Sequence, residues 1–177
     1  MSELPEVIRE GEYYRVCKPE WHDCADTTYA KMHGGRWNAA GAFGALYLNA
    51  TKKVAAAQAR HQHAGRAIGL FDLRPERRPD LATFAVPRLR AVDAVSNDGL
   101  RRLRLPQTYP IGVEWAPCQR IARRAFAASL AGVAARSAAE ARPTSGVGEE
   151  LAVFDTLALV PTKRVPFASW YPDPAPR

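Results

Sequence analysis

Short β-type runs set apart by glycine and proline are what most restrict this chain. They are EYYRVC (12–17), ALYLN (45–49), IGLFDL (68–73), ATFAVP (82–87), AVDAV (91–95), VAARSA (133–138) and LAVFD (151–155). β-Branched, aromatic and small apolar residues fill them, and each has the length of a strand rather than of a helix. Few helical stretches stand between them. Thr51 can cap a helix through KKVAAAQARHQHA, with Gly65 ending it. Ser96 or Asn97 starts a short helix over DGLRRL. Pro117 suits the first residue of another, through CQRIARRAFAASLA, which Gly132 stops. On that helix Ile121, Ala125 and Leu130 lie near the apolar stripe, and Arg120, Arg123 and Arg124 fall largely outside it. The segments RPERRPD (74–80), LPQTYPIGVEWAPC (105–118) and RPTSGVGEE (142–150) read as loops. Strands that alternate with a few helices, without regular βαβ units, predict one α+β domain over residues 1–177. Its sheet is expected to be mixed and largely antiparallel. The proline-rich end, residues 166–177, is expected to wrap over the domain or fray.

A chain of 177 residues, 47% of them hydrophobic, can bury a core of ordinary size. The net charge of +7 and pI near 9.7 fit either a basic soluble domain or attraction to an anion, whether nucleic acid, a phosphate-bearing small molecule or an acidic protein partner. The basic residues are dispersed, however, and no nucleic-acid motif accompanies them. Three cysteines at irregular spacing argue against a disulfide framework. The charged start MSELPEVIRE lacks the apolar core of a signal peptide, and no run reaches the ~18 apolar residues of a membrane span. A cytoplasmic protein without a membrane segment is the expectation.

The segment HGGRWNAAGAFGALYLN (33–49) holds four glycines. It is neither a Walker loop nor a dinucleotide fingerprint, and the chain has no GxSxG nucleophile elbow. Cys17, His22, Cys24 and His33 match no zinc-ligand spacing, so no metal is expected. Arg15 lies mid-strand in YYRVC. It either faces solvent, pairs with an acid such as Asp72, or aims its planar fork at an anion in a cleft. Arg36 poses the same choice, with glycine neighbours that let backbone and ligand come close. Trp37 and Asn38 can pin the loop. Tyr47 can fill core or stack on an aromatic ligand, and its strand setting alone favours core.

YRV (14–16), GGRWN (34–38), Gly41 and LYLN (46–49) together resemble the RES-domain family, as does CQRIARRAFAASLAGVAARSAAE (118–140). The resemblance spans roughly residues 13–155. It implies a fold like that of ADP-ribosyltransferase toxins, with a cleft for NAD as substrate and no metal. It also implies the toxin half of a bacterial toxin–antitoxin pair with an Xre-type antitoxin as partner. Family members break the nicotinamide–ribose bond by hydrolysis, phosphorolysis or ADP-ribose transfer. Nucleic acid would enter only as an ADP-ribose acceptor, and a homo-oligomer is left open. Carried over by position, Arg15 and Arg36 match the cleft arginines that grip the pyrophosphate. Tyr47 matches the tyrosine beside the nicotinamide ribose, and Ser137 the family's serine. The family's glutamate falls 11 residues beyond the tyrosine, where this chain has Gln58. An amide keeps hydrogen bonding but loses the charge that offsets an oxocarbenium-like transition state. Either another carboxylate (Glu140, Glu149 or Glu150) substitutes, or the domain binds a nucleotide or partner with little catalysis, or position 58 carries an inactivating change.

Overall fold

The runs ATFAVP and AVDAV form one strand in the computed structural model, which describes residues 3–140 and 148–172. That strand, β3 (Asp80–Ala94), continues through Pro87, a residue that cannot donate to a ladder. It does so because the opposing strand β1 (Glu6–Cys17) shifts register there: Gly11 pairs with Val86, but Arg9 pairs with Leu89. Gly11 takes φ 108°, a conformation that favours glycine, and the irregularity gives Pro87 its place.

The remaining elements follow in order. They are α1 (Thr28–His33), β2 (Ala45–Asn49), α2 (Lys52–His63), α3 (Asn97–Leu103), α4 (Trp115–Ala127), β4 (Gly132–Arg136), β5 (Glu149–Phe154) and β6 (Pro161–Val165). The expected caps form: the Thr51 hydroxyl accepts from Val54 N–H at 3.1 Å, and that of Ser96 from Gly99 N–H at 2.9 Å.

The sheet runs β1-β2-β5-β4-β3-β6, and β1 also pairs with β3. All pairs are antiparallel except β3–β4, so the sheet is mixed and largely antiparallel, as expected. Followed through their hydrogen bonds, β1, β3, β4, β5 and β2 return to β1. That closure rests on a single residue pair, Tyr14 with Asn49.

Three apolar clusters surround this ring. Tyr13, Cys17, Leu48, Phe84, Leu151 and Val153 turn toward one another from its strands. Helices α3 and α4 cover the other face of β4 and β5 through Leu100, Ile121, Ala125 and Phe154. Helix α2 lays Ala55, Ala56 and Ala59 on Val16 and Leu81, with Phe167 and Trp170 completing that layer. The tail residues that are described therefore wrap onto the core. Residues 173–177 lie outside the described part, as do 141–147 of the RPTSGVGEE loop.

Several sequence expectations are corrected. IGLFDL is not a strand: Leu70–Asp72 form a 3-10 turn in which the Asp72 carboxylate accepts from Gly69 N–H at 2.9 Å. Phe71 uses its ring against Phe167 and Tyr171 instead of a ladder. Helix α4 begins two residues before Pro117 and ends at Ala127, because Ser129 adopts a left-handed φ of 58°. Gly132 is not its stop. It opens β4, where an added Cβ would lie 2.2 Å from the Ala152 carbonyl oxygen. The short helix α1 and strand β6 carried no distinct sequence signal. No helix among the described residues is long and apolar enough to cross a membrane.

Candidate active site

Beyond the Tyr14–Asn49 pair, β1 and β2 part. The Asn49 side chain marks the fork by donating to the Tyr14 carbonyl at 3.1 Å. A cavity of about 180 Å³ opens there. Its lining includes Arg15 of β1, Trp21 of the following loop, Tyr47 of β2, Gln58 and Gln62 of α2, and Glu150 of β5. Gln58 and Gln62 stand four residues apart and so share one helix face. Residues separated by more than a hundred positions thus meet where the ring of strands is least closed.

Arg15 does not pair with Asp72. One guanidinium nitrogen donates to the carbonyls of Cys24 and Asp26, at 2.6 and 3.4 Å. Its charged carbon sits 5.3 Å from the centroid of the Trp21 ring. These partners fix its direction without cancelling its charge, and no ion pair to Arg15 is present among the described residues. Burial pulls its pKa below the ordinary arginine value, the direction that disfavours an isolated cation. An anion in the cavity would relieve that cost.

The glycine-rich loop is occupied by the protein itself. Tyr47 Oη accepts from Trp37 N–H at 2.9 Å and donates to Asn38 Oδ1 at 2.8 Å. Asn38, fully buried, returns its amide to the carbonyls of Ala30 and Phe43 at 2.6 and 3.2 Å. Trp37 and Asn38 therefore pin the loop as expected, and Tyr47 belongs to both core and cavity. Burial pushes the Tyr47 phenol pKa up, so the hydroxyl stays protonated for these bonds. The room beside Gly35 was expected to admit a ligand. It admits Tyr47 instead, because a Cβ on Gly35 would fall 2.6 Å from Tyr47 Oη and 2.9 Å from Asn38 Oδ1. Gly35→Ala is expected to destabilise the fold by about 1–3 kcal/mol through that overlap. Chemical denaturation would show it, and an unchanged midpoint would contradict it.

The other candidates take different positions. Arg36 donates to the Val113 carbonyl at 2.9 Å and lies 5.9 Å from the Tyr109 ring centroid. It stands outside the cavity lining, close enough for its charge to act on Tyr47 and Glu150. Ser137 is fully buried, and its hydroxyl accepts from Ala139 N–H at 3.3 Å, so it too is absent from the lining. Of the three alternative carboxylates, Glu149 is held by Arg9 at 2.6 Å and Glu140 by Lys53 at 3.1 Å. Only Glu150 lines this cavity. Burial pushes its pKa up to about 7, against the opposing pull of the Arg36 charge. Trp21 was not anticipated, since nothing local distinguishes it from a core tryptophan. No group of three His, Cys, Asp or Glu residues among those described comes together as a metal site.

Fold and site define a single α+β domain with a polar cleft between two parted strands. The family model described as RES domain matches residues 12–170, and the chain belongs to that family. Its fold is similar to that of a chain in the crystal structure of the M. tuberculosis MbcT–MbcA toxin–antitoxin complex. The two share 20% identity at a TM-score of 0.74, over 91% of this chain and 86% of that one. No curated protein matches.

Proposed function

We propose that this protein is a toxin that consumes NAD by cleaving the bond between nicotinamide and ribose. The observation that carries the reading is Arg15, a half-buried cation without a carboxylate partner among the described residues. It shares one cavity with two aromatic rings, three amides and a carboxylate. Such a set suits one end of a dinucleotide. Tyr47 and Trp21 offer flat faces to an aromatic ring, Arg15 offers a fork to phosphate, and Gln58 and Glu150 can bond ribose hydroxyls. At about 180 Å³ the cavity is smaller than the roughly 300–1,000 Å³ of drug-sized ligand sites. It fits the nicotinamide-ribose end and leaves the rest of NAD to the cleft mouth. Arg36 then acts through its charge from outside the lining.

In this reading the C1′–N bond breaks and its electron pair leaves on nicotinamide. An oxygen of water or phosphate forms the new bond at C1′. ADP-ribose transfer to a protein or nucleic acid is the same cleavage with another acceptor. Membership in the RES family and the fold shared with a toxin–antitoxin complex favour a toxin held by an antitoxin, of Xre type in our reading, acting in the cytoplasm. Incubation of purified protein with NAD, with and without phosphate, is expected to release nicotinamide. Absence of both release and NAD binding would overturn the proposal. A second reading, a nucleotide-binding domain with little catalysis, is favoured by Gln58. Binding without turnover would establish it.

A further inference from the structure

The residue of α2 at the family's glutamate position is Gln58, and an amide carries no charge to offset a developing cation. A carboxylate nevertheless enters the same cavity from another element. Glu150, the second residue of β5, lies in register with Asn49 of β2 on one side and Ala135 of β4 on the other. It is therefore placed by a paired strand in the middle of the sheet, the kind of rigid element that holds a reacting group to a fixed position. Among the described residues no hydrogen bond or ion pair holds its carboxylate, whereas Glu149 beside it is locked to Arg9. A carboxylate kept in a cavity without a close partner costs folding free energy, and such groups gather where chemistry uses them.

We infer that Glu150 is the catalytic carboxylate of this cleft, supplying from strand β5 the negative charge that Gln58 of helix α2 cannot. This rests on the NAD-cleaving reading above. As the C1′–N bond breaks and its electron pair leaves with nicotinamide, ribose takes on positive character. Ionised Glu150 offsets that charge and accepts a hydrogen bond from a ribose hydroxyl, while Gln58 orients the sugar. The incoming oxygen then bonds to C1′, and when water is the acceptor its proton passes to solvent.

The groups around Glu150 give the reaction a pH dependence. Arg36 is the opposite charge acting on it, and Arg15 shares its cavity. Tyr47, Tyr109 and Cys118 feel its charge. Helix α2 contributes only the amides of Gln58 and Gln62 to the lining, and the residues paired with Glu150 on the neighbouring strands, Asn49 and Ala135, carry no charge. Burial exceeds the pull of Arg36, which leaves the carboxyl near pKa 7. Only the ionised form stabilises the cation, so kcat/KM, which follows the groups of the free protein, rises with pH through about 7.

The test follows nicotinamide release by the wild-type protein and by Glu150→Gln, Gln58→Glu and the double variant that transposes the carboxylate. Glu150→Gln is expected to lower kcat by roughly 100- to 1,000-fold, with KM changed only a few-fold, and to abolish the rise near pH 7. Adding Gln58→Glu to it should restore at least about tenfold of the lost rate. A second readout does not use activity. A carboxyl whose pKa is raised by folding contributes most stability below about pH 4.5 and loses it as pH rises to about 7. Glu150→Gln should therefore melt higher than wild type at pH 8, on the order of 5 °C, and the two should converge toward pH 5. Unchanged kcat and pH profile in Glu150→Gln would overturn the inference and leave NAD cleavage standing. So would an inactive wild type that Gln58→Glu alone makes active. If neither wild type nor Gln58→Glu releases nicotinamide, the NAD-cleaving reading falls, and this inference with it.

Discussion

Tyr47→Phe is expected to lower the unfolding free energy by about 3 kcal/mol, from a single missing oxygen. That hydroxyl accepts from Trp37 N–H and donates to Asn38 Oδ1, at 2.9 and 2.8 Å. Trp37 and Asn38 are both fully buried, so water cannot replace the lost partner. Each group left unpaired costs about 1–3 kcal/mol. The loss is large against the 5–15 kcal/mol that ordinarily holds a domain of this kind. Urea unfolding, compared at equal m-value, measures it. The same variant also separates the two jobs of Tyr47. Its ring stays in the cavity, so NAD affinity of the folded protein should change only a few-fold at low temperature. A midpoint equal to wild type would show that the hydroxyl does not pin the loop. Lost affinity at full stability would show that it serves the ligand instead.

Arg15→Ala is expected to raise the dissociation constant for NAD by roughly 10- to 100-fold, the worth of charge-assisted hydrogen bonds to a phosphate. Arg15→Lys should recover only part of this, because an ammonium keeps the charge but not the fork. The native side chain also fastens the loop through the Cys24 and Asp26 carbonyls. Some loss of stability is therefore expected in both variants. Calorimetric titration with NAD on the folded proteins distinguishes the roles. If melting falls while affinity holds, Arg15 is a structural latch and the phosphate role is wrong. Added salt should weaken binding in wild type more than in Arg15→Ala, since the variant has one charge fewer to screen.

Legibility in the sequence followed the range of the interaction. Helix α2 was readable because Thr51, the alanines and Gly65 act within a few residues of one another. Strand β2 was readable because ALYLN is a short apolar run directly before that cap. IGLFDL misled for the same reason: its residues have β propensity, but Asp72 folds back on Gly69 and Phe71 finds the C-terminal aromatics. Strand β6, PTKRV, gives no alternation of buried residues, since it is an outer strand paired along β3 only. The site divides likewise. Arg15, Tyr47 and Gln58 were named from motif positions and meet in one cavity. Arg36 and Ser137 occupy motif positions too, but are absent from its lining.

By itself the sequence determined the strands and caps that arise locally, the α+β class, and the family motifs from YRV to LYLN. The strands, caps and class follow from side-chain alternation, capping chemistry and backbone preference, all short-range, whereas the motifs carry a family resemblance. Tertiary structure decided the rest. It closed the ring of strands at Tyr14 and Asn49 and parted β1 from β2 beyond them. It filled the space at Gly35 with Tyr47. Among Glu140, Glu149 and Glu150 it put the last in the cleft while Lys53 and Arg9 took the others. Each of these outcomes depends on which distant strand pairs with which, and in what register. A one-residue shift would turn Glu150 to the other face of its strand and present its neighbour instead.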